Sequence, residues 1–257
     1  MAIVTLTSDF GHRDAYVAIL KATLLSLEPS LNIIDVSHEV EPANIAHGAF
    51  VIGSAYANFP KKTVHLIAVD SLGTPDNKFI AVEIDEHIFI GANNGLLSLI
   101  SEFEPDNVVL VSDGKKTSFP AKDILAELTV KLANGSALTD VGTEFPEMKK
   151  FLKRSVKANK QEIVGHVAHI DHFGNLITNI LKRDFDILSK DKKFTVGIGK
   201  ENIYEINHSP SEVDAGDCFV LFNHLGLLEI GIKNGRADQL LGLEYDSQVW
   251  IKFSDNT

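Results

Sequence analysis

Through the first half of the chain, short apolar, β-branched runs alternate with longer stretches whose apolar positions recur every three or four residues. Residues 2–6 read as a buried strand. Val17, Leu20, Leu24 and Leu27 then mark one face of a helix that Asp14 caps and Pro29 stops. Residues 31–36 and 64–69 predict further strands, with a helix over 45–56 between them. Residues 79–84 and 87–90 predict a hairpin, and 96–103, 108–111 and 124–133 continue the alternation. The pattern predicts an α/β domain in three layers, with a mostly parallel sheet covered on both faces.

The texture changes after residue 161. Residues 163–170, 194–198, 203–206, 219–222, 227–232 and 248–253 are short strand patterns separated by Gly, Asp and Asn turns, without a convincing long helix. That predicts a smaller all-β barrel or sandwich. The division expected is an α/β domain over 1–148, a basic linker over 149–161 and a β domain over 162–257.

Composition narrows the classes. Hydrophobic residues at 44% and charged residues at 23% describe a globular chain rather than a disordered one. No apolar run approaches the roughly 18–20 residues of a membrane helix, and the N-terminus lacks the basic region of a signal peptide. The single cysteine, Cys218, excludes an internal disulfide and a multi-thiolate zinc site, and points to a reducing cytoplasm. A net charge of −11 argues against nucleic acid and suits a small cationic ligand. Lys149, Lys150, Lys153, Arg154, Lys157 and Lys160 run against that balance and read as a solvated face.

Open α/β sheets bind ligands at the carboxyl ends of their strands. Three acid-bearing segments fall there: Asp9 after the first strand, Asp35 with His38 after the second, and Asp70 after the third. No phosphate-cradling glycine loop follows the first strand. In the second half, His166, His169 and His172 invite a metal reading, but spacing by three along a strand sends successive members to opposite faces, so no metal is expected. Asp171 and Asn175, around Phe173 and Gly174, suit ligand work: a carboxylate can accept from an ammonium group, and a carboxamide can pair with an adenine edge. An Asx-type turn with a buried Phe explains the same residues equally well.

Several segments together resemble one family. Thr5-Leu6-Thr7-Ser8-Asp9-Phe10-Gly11, with Asp14, Tyr16 and Val17 following, is similar to its opening motif. Ile34-Asp35-Val36-Ser37-His38-Glu39, Val64-His65-Leu66-Ile67-Ala68-Val69-Asp70, Asn93-Asn94-Gly95-Leu96-Leu97-Ser98, residues 170–180 and Asn223-His224-Leu225-Gly226-Leu227-Leu228-Glu229-Ile230 resemble its later ones, in order, over residues 5–235. The family is the S-adenosylmethionine (SAM) hydroxide adenosyltransferases, relatives of the SAM-dependent fluorinases and chlorinases.

The resemblance implies attack of water or hydroxide on the ribose C5′ of SAM, releasing adenosine and methionine without a cofactor or metal. It implies a homotrimer whose sites join one subunit's N-terminal domain to a neighbour's C-terminal domain. Asp9 would hold the ribose hydroxyls, Asp171 the methionine ammonium and Asn175 the adenine edge, with Phe173 packing nearby; Asp14, Asn223 and His224 fall in the same substrate-binding motifs. Asp70 stands where the halide-using relatives carry Tyr. A carboxylate there can take a proton from water but repels a halide. The family arginine seven residues later is Asn77 here, beside Lys78, and the family histidine on the following helix is Lys131. These three positions form the expected catalytic set, with Lys78 or Lys131 as the replacement cation. The alternatives are a catalytically weak SAM- or adenosine-binding protein and, less in keeping with Asp70, a halogenase.

Overall fold

The computed structural model describes residues 2–72, 76–102, 104–199 and 201–255. The chain divides after Lys153 into two compact units.

The first unit is built on a seven-stranded sheet. Its strands are β1 (Ile3–Ser8), β2 (Asn32–Ser37), β3 (Val64–Ala68), β4 (Phe79–Ile84), β5 (His87–Ala92), β6 (Asn107–Ser112) and β7 (Thr143–Glu144), in the order β2-β1-β3-β5-β4-β6-β7. The pairs β2–β1, β1–β3 and β3–β5 are parallel, whereas β5–β4, β4–β6 and β6–β7 are antiparallel. The sheet is therefore mixed. Its antiparallel half starts at the hairpin, where Asp85 and Glu86 both take left-handed backbone (φ 52 and 61) and return the chain directly.

Strand alternation sorts side chains into two cores. Leu66 and Phe79 face one layer with Leu20 and Leu24 of α1 (Tyr16–Leu27); Ile67 and Ile80 face the other with Ile52 of α2 (Ile45–Ala55). A π-helical turn, Ala121–Leu125, leads into α3 (Ala126–Ala133), which lies on the α1 side. The short α4 (Leu138–Val141) precedes β7. Two local expectations change. The N-cap of α1 is Ala15, which offers no side-chain acceptor, so Asp14 does not cap that helix and is exposed. The stretch from Leu96 forms only a 3₁₀ turn, Leu96–Leu99; Phe103 lies outside the described residues.

The second unit is antiparallel throughout. Its strands are β8 (Lys157–Ala158), β9 (Glu162–Ile170), β10 (Leu176–Leu181), β11 (Lys192–Ile198), β12 (Glu201–Ile203), β13 (Cys218–Phe222), β14 (Leu227–Ile232) and β15 (Gln248–Asp255). They run in the order β12-β11-β15-β9-β10-β14-β13, with β8 on β9. Val196 on β11 and Val220 on β13, near opposite ends of that order, share one buried cluster, so the sheet must curve around a single core. Strand β10 was not anticipated as a strand, and α5 (Lys182–Leu188) and α6 (Ala237–Leu240) are short helices between strands.

Candidate active site

In the first unit, the carboxyl ends of β1 and β3 meet through Asp9. Its Oδ2 accepts from the backbone N–H of Asp70 at 3.0 Å and from that of Ala43 at 2.9 Å. Asp70 and Ala43 both hold left-handed backbone, φ 47 and 59, which is strained for residues with a Cβ. One carboxylate thus fixes the loops after β1 and β3 and the entry to α2. Burial pushes the Asp70 carboxyl above the usual carboxylate range, the charge of Asp9 adds to this, and Lys149 opposes it.

Beneath Asp9 lies a buried polar chain. Ser8 Oγ is 2.6 Å from His38 Nδ1, and His38 Nε2 is 3.0 Å from Asp35 Oδ1 at an angle short of a hydrogen bond. Asp35 Oδ2 pairs with Lys21 at 2.5 Å. Burial alone would raise the Asp35 carboxyl, but the hydrogen bond from Lys21 and the close approach of His38 hold it below its usual value. Burial lowers the His38 pKa, although Asp35 opposes it. The composition is that of a hydrolase triad, yet Ser8 is 1% exposed, so its hydroxyl cannot reach a substrate. The chain instead anchors the Asp9 loop: Ser8 Oγ also accepts from Phe10 N, and the His38 carbonyl accepts from Gly11 N at 2.8 Å.

At the altered positions, Asn77 and Lys78 lie beside the turn after β5 that adjoins Asp70, the Lys78 carbonyl accepting from Asn93 N at 2.9 Å, whereas Lys131 stands apart. Asn77 has φ 46, and its carbonyl accepts from Gly114 N. Lys78 lies over the Phe145 ring, 5.4 Å from its centroid. Lys131 is exposed on α3 and pairs with Glu127 one turn earlier at 2.8 Å, a surface ion pair. Its helix also leads away from the acids: Phe119, just before the π-helical turn, packs on Phe10 and Tyr16 beside the Asp9 loop. Asn134 at the far end reaches Glu28, beyond the end of α1. Lys131 is therefore not a member of the Asp9–Asp70 cluster. Gly73 and Thr74 of the loop after Asp70 lie outside the described residues. A cavity of about 810 Å³ opens at the opposite sheet edge, lined by Lys62 and Ile88 at the starts of β3 and β5, away from these acids.

In the second unit, Asp171 ends β9 and closes a tight turn. Its Oδ1 accepts from Phe173 N at 2.9 Å and Asn175 N at 2.8 Å, so the Asx turn is present. Phe173 is not buried by it: the residue is 71% exposed, available to a partner or ligand. Asn175 Nδ2 donates to Asp171 Oδ2 at 3.1 Å and to Glu229 Oε1 at 3.2 Å, while Asn223 Nδ2 donates to Glu229 Oε2 at 3.1 Å. Two carboxylates around one amide fix which end of Asn175 is nitrogen. Both its N–H groups are consumed, so the side chain retains only acceptor capacity, and the expected two-way pairing with an adenine edge reduces to one direction. Burial raises the Glu229 carboxyl above its usual range and the nearby Asp171 charge adds to this, while the bond from Asn223 opposes it. Glu229 is the residue that sequence reasoning missed; its only signal was its place in the segment after Asn223.

His166 and His169 fall at adjacent-parity positions of β9, opposite Gln248 of β15 and Ile177 of β10, and His172 lies past the strand end. Among the described residues, no group of three or more His, Cys, Asp or Glu is arranged to hold a metal ion. Nor, among the described residues, is any helix long and apolar enough to cross a membrane.

Comparisons with known proteins match both units. Residues 4–142 fit the family model of the SAM hydroxide adenosyltransferase N-terminal domain and 165–250 that of the C-terminal domain. The chain is 30% identical to "(R)-S-adenosyl-L-methionine hydrolase" of Methanocaldococcus jannaschii, over 97% of this chain and 95% of that one. It is 25% identical to a fluorinase of Nocardia brasiliensis, over 84% of each. The crystal structure of an uncharacterized conserved protein from Thermotoga maritima superposes with a TM-score of 0.87 at 28% identity, covering 97% of this chain and 99% of that one. With both domain models matched in order and the acid-bearing strand ends in place, this chain belongs to the SAM hydroxide adenosyltransferase family.

Proposed function

We propose that the protein hydrolyses SAM to adenosine and methionine, with Asp70 as the general base. A water oxygen bonds to C5′ while the C5′–S bond breaks. The bonding pair goes to sulfur, which leaves as the neutral thioether of methionine, and the water's proton passes to Asp70. No departing anion needs stabilising, so the demands on the site are to dehydrate and aim the water. The observation that carries the reading is the carboxylate of Asp70 at the end of β3, partly desolvated and fixed by Asp9. A desolvated carboxylate with a raised pKa is the better proton acceptor, and its charge disfavours a halide in the same place.

Asp9, held where two strand ends meet, is the proposed ribose ligand. Asp171 takes the ammonium group, Asn175 accepts from the adenine amine, and Phe173 offers its exposed ring to the base, with Asn223, His224 and Asp14 at the periphery. The excess of acids over bases suits a sulfonium substrate. The assembly we propose is a cytoplasmic homotrimer, in which neighbouring subunits supply the two sets of residues. Its support is the family resemblance together with exposed Phe173.

Incubation with SAM and chromatography of the products tests the reading. Equimolar adenosine and methionine support it. Tight SAM binding without product would instead support a binding protein, the reading that the altered positions Asn77 and Lys131 favour.

A further inference from the structure

Asp70 accepts a proton only while ionised, and its setting works against ionisation through burial and through Asp9. A nearby cation would oppose both effects. Lys131 is paired on α3, and Lys78, over the Phe145 ring, is not among the charges that act on Asp70. The basic stretch, read in the sequence as a solvated linker, supplies another. Its first part belongs to the first unit and is docked there: Lys149 N donates to Asn93 Oδ1 at 2.8 Å, and Phe151 N to Ser98 Oγ at 2.9 Å.

The turn it docks on adjoins Asp70. Asn94 is buried, and its Nδ2 donates to the carbonyl of Val69 at 2.9 Å, one residue before Asp70. The Phe151 ring lies so close over Gly95 that a Cβ there would meet it at 2.5 Å, and Gly95 has φ 102. The Lys149 ammonium in turn lies 5.0 Å from the Phe151 ring centroid, a cation–π contact that restrains an otherwise mobile side chain.

We propose that Lys149 is a positioning residue for SAM hydrolysis, the cation that faces Asp70 in place of the arginine whose position Asn77 occupies. The inference rests on the reaction proposed above. The charged groups that act on Asp70 are Asp9, from the end of β1, and Lys149, from the docked segment; they pull its titration in opposite directions. Lys149 keeps Asp70 ionised to lower pH and offsets the repulsion between the two acids. A lysine reaching in from a separate segment replaces an arginine on the adjoining loop, so the same charge balance is met from another part of the chain.

The test titrates the Asp70 carboxyl by carbon NMR, assigned with Asp70→Asn, alongside the pH profile of kcat. Lys149 is exposed, so Lys149→Met leaves the core intact. In Lys149→Met the Asp70 midpoint and the acid limb of kcat should both rise by about one pH unit, so that kcat on that limb falls about tenfold. Lys149→Arg should restore both. Lys150→Met, which makes the same charge change next door and removes only the ion pair with Glu104, should move neither. An Asp70 midpoint unmoved in Lys149→Met, or moved equally in Lys150→Met, overturns the proposal. A shifted midpoint in a protein that releases no adenosine would support the role of Lys149 toward Asp70 and refute the hydrolase reading.

Discussion

At position 70 a carboxylate gives up part of its hydration and takes a strained backbone conformation, and both costs are held in place by one neighbour, Asp9. On that arrangement rests the proposal that Asp70 is a base rather than a ligand. Asp70→Asn keeps size and hydrogen bonding but removes the charge, so kcat should fall by roughly 10²–10⁴ while KM for SAM changes far less. Equal kcat in variant and wild type would remove the base from the account. The raised pKa has a sign: the ionised form is the active one, so kcat should decline on acidification at a pH above the usual range of an exposed aspartate. Glu229 acts differently, through the amides it holds. Glu229→Ala frees Asn175 and Asn223 from a half-buried acceptor, so KM should rise more than kcat falls; isothermal titration with adenosine checks the same loss without turnover.

At the scale of the element, Gly95 decides whether the turn after β5 can carry the 149–151 segment. Its φ of 102 and the ring at 2.5 Å both exclude a side chain. Gly95→Ala should cost about 1–3 kcal/mol in urea unfolding and expose the chain around Lys150 to proteolysis; unchanged stability and protection would show that the segment is not docked there. The elements differ in how far the sequence announced them. Alternating apolar runs gave β1, β3 and the β4–β5 hairpin because their periodicity is strong and their ends carry turn residues. Strand β10 escaped because its residues, Leu176 to Leu181, were absorbed into a ligand motif, and the cap of α1 was misassigned because a nearby Asp was a plausible but unused acceptor. Asp9, Asp70, Asp171 and Asn175 were legible as residues at strand ends and turns. Glu229 and Lys149 were not, since their roles depend on which distant segments meet: β14 against the Asp171 turn, and residue 149 against Asn93.

Across the whole molecule, buried histidines set a limit on acid stability. His65, between Thr5 at 2.7 Å and His87 at 3.2 Å, has its pKa pushed down to about 3, by burial first and by His87 second. An unfolded histidine titrates near 6.5, so below that value the unfolded chain binds a proton that the native one refuses. Stability is full above about pH 6.5 and is lost as pH falls toward 3, at up to about 1.4 kcal/mol per unit. In His65→Gln the fall of Tm between about pH 6 and 4 should be shallower; an identical slope would place the acid sensitivity elsewhere. The central claim concerns the whole protein turning over its substrate, and it is tested most directly by incubation with SAM in ¹⁸O-labelled water and mass spectrometry of the products. Attack of water at C5′ puts the label in the 5′-hydroxyl of adenosine and leaves methionine unlabelled. Unlabelled adenosine, label in the methionine portion, or a 5′-halogenated nucleoside formed with halide present would contradict it.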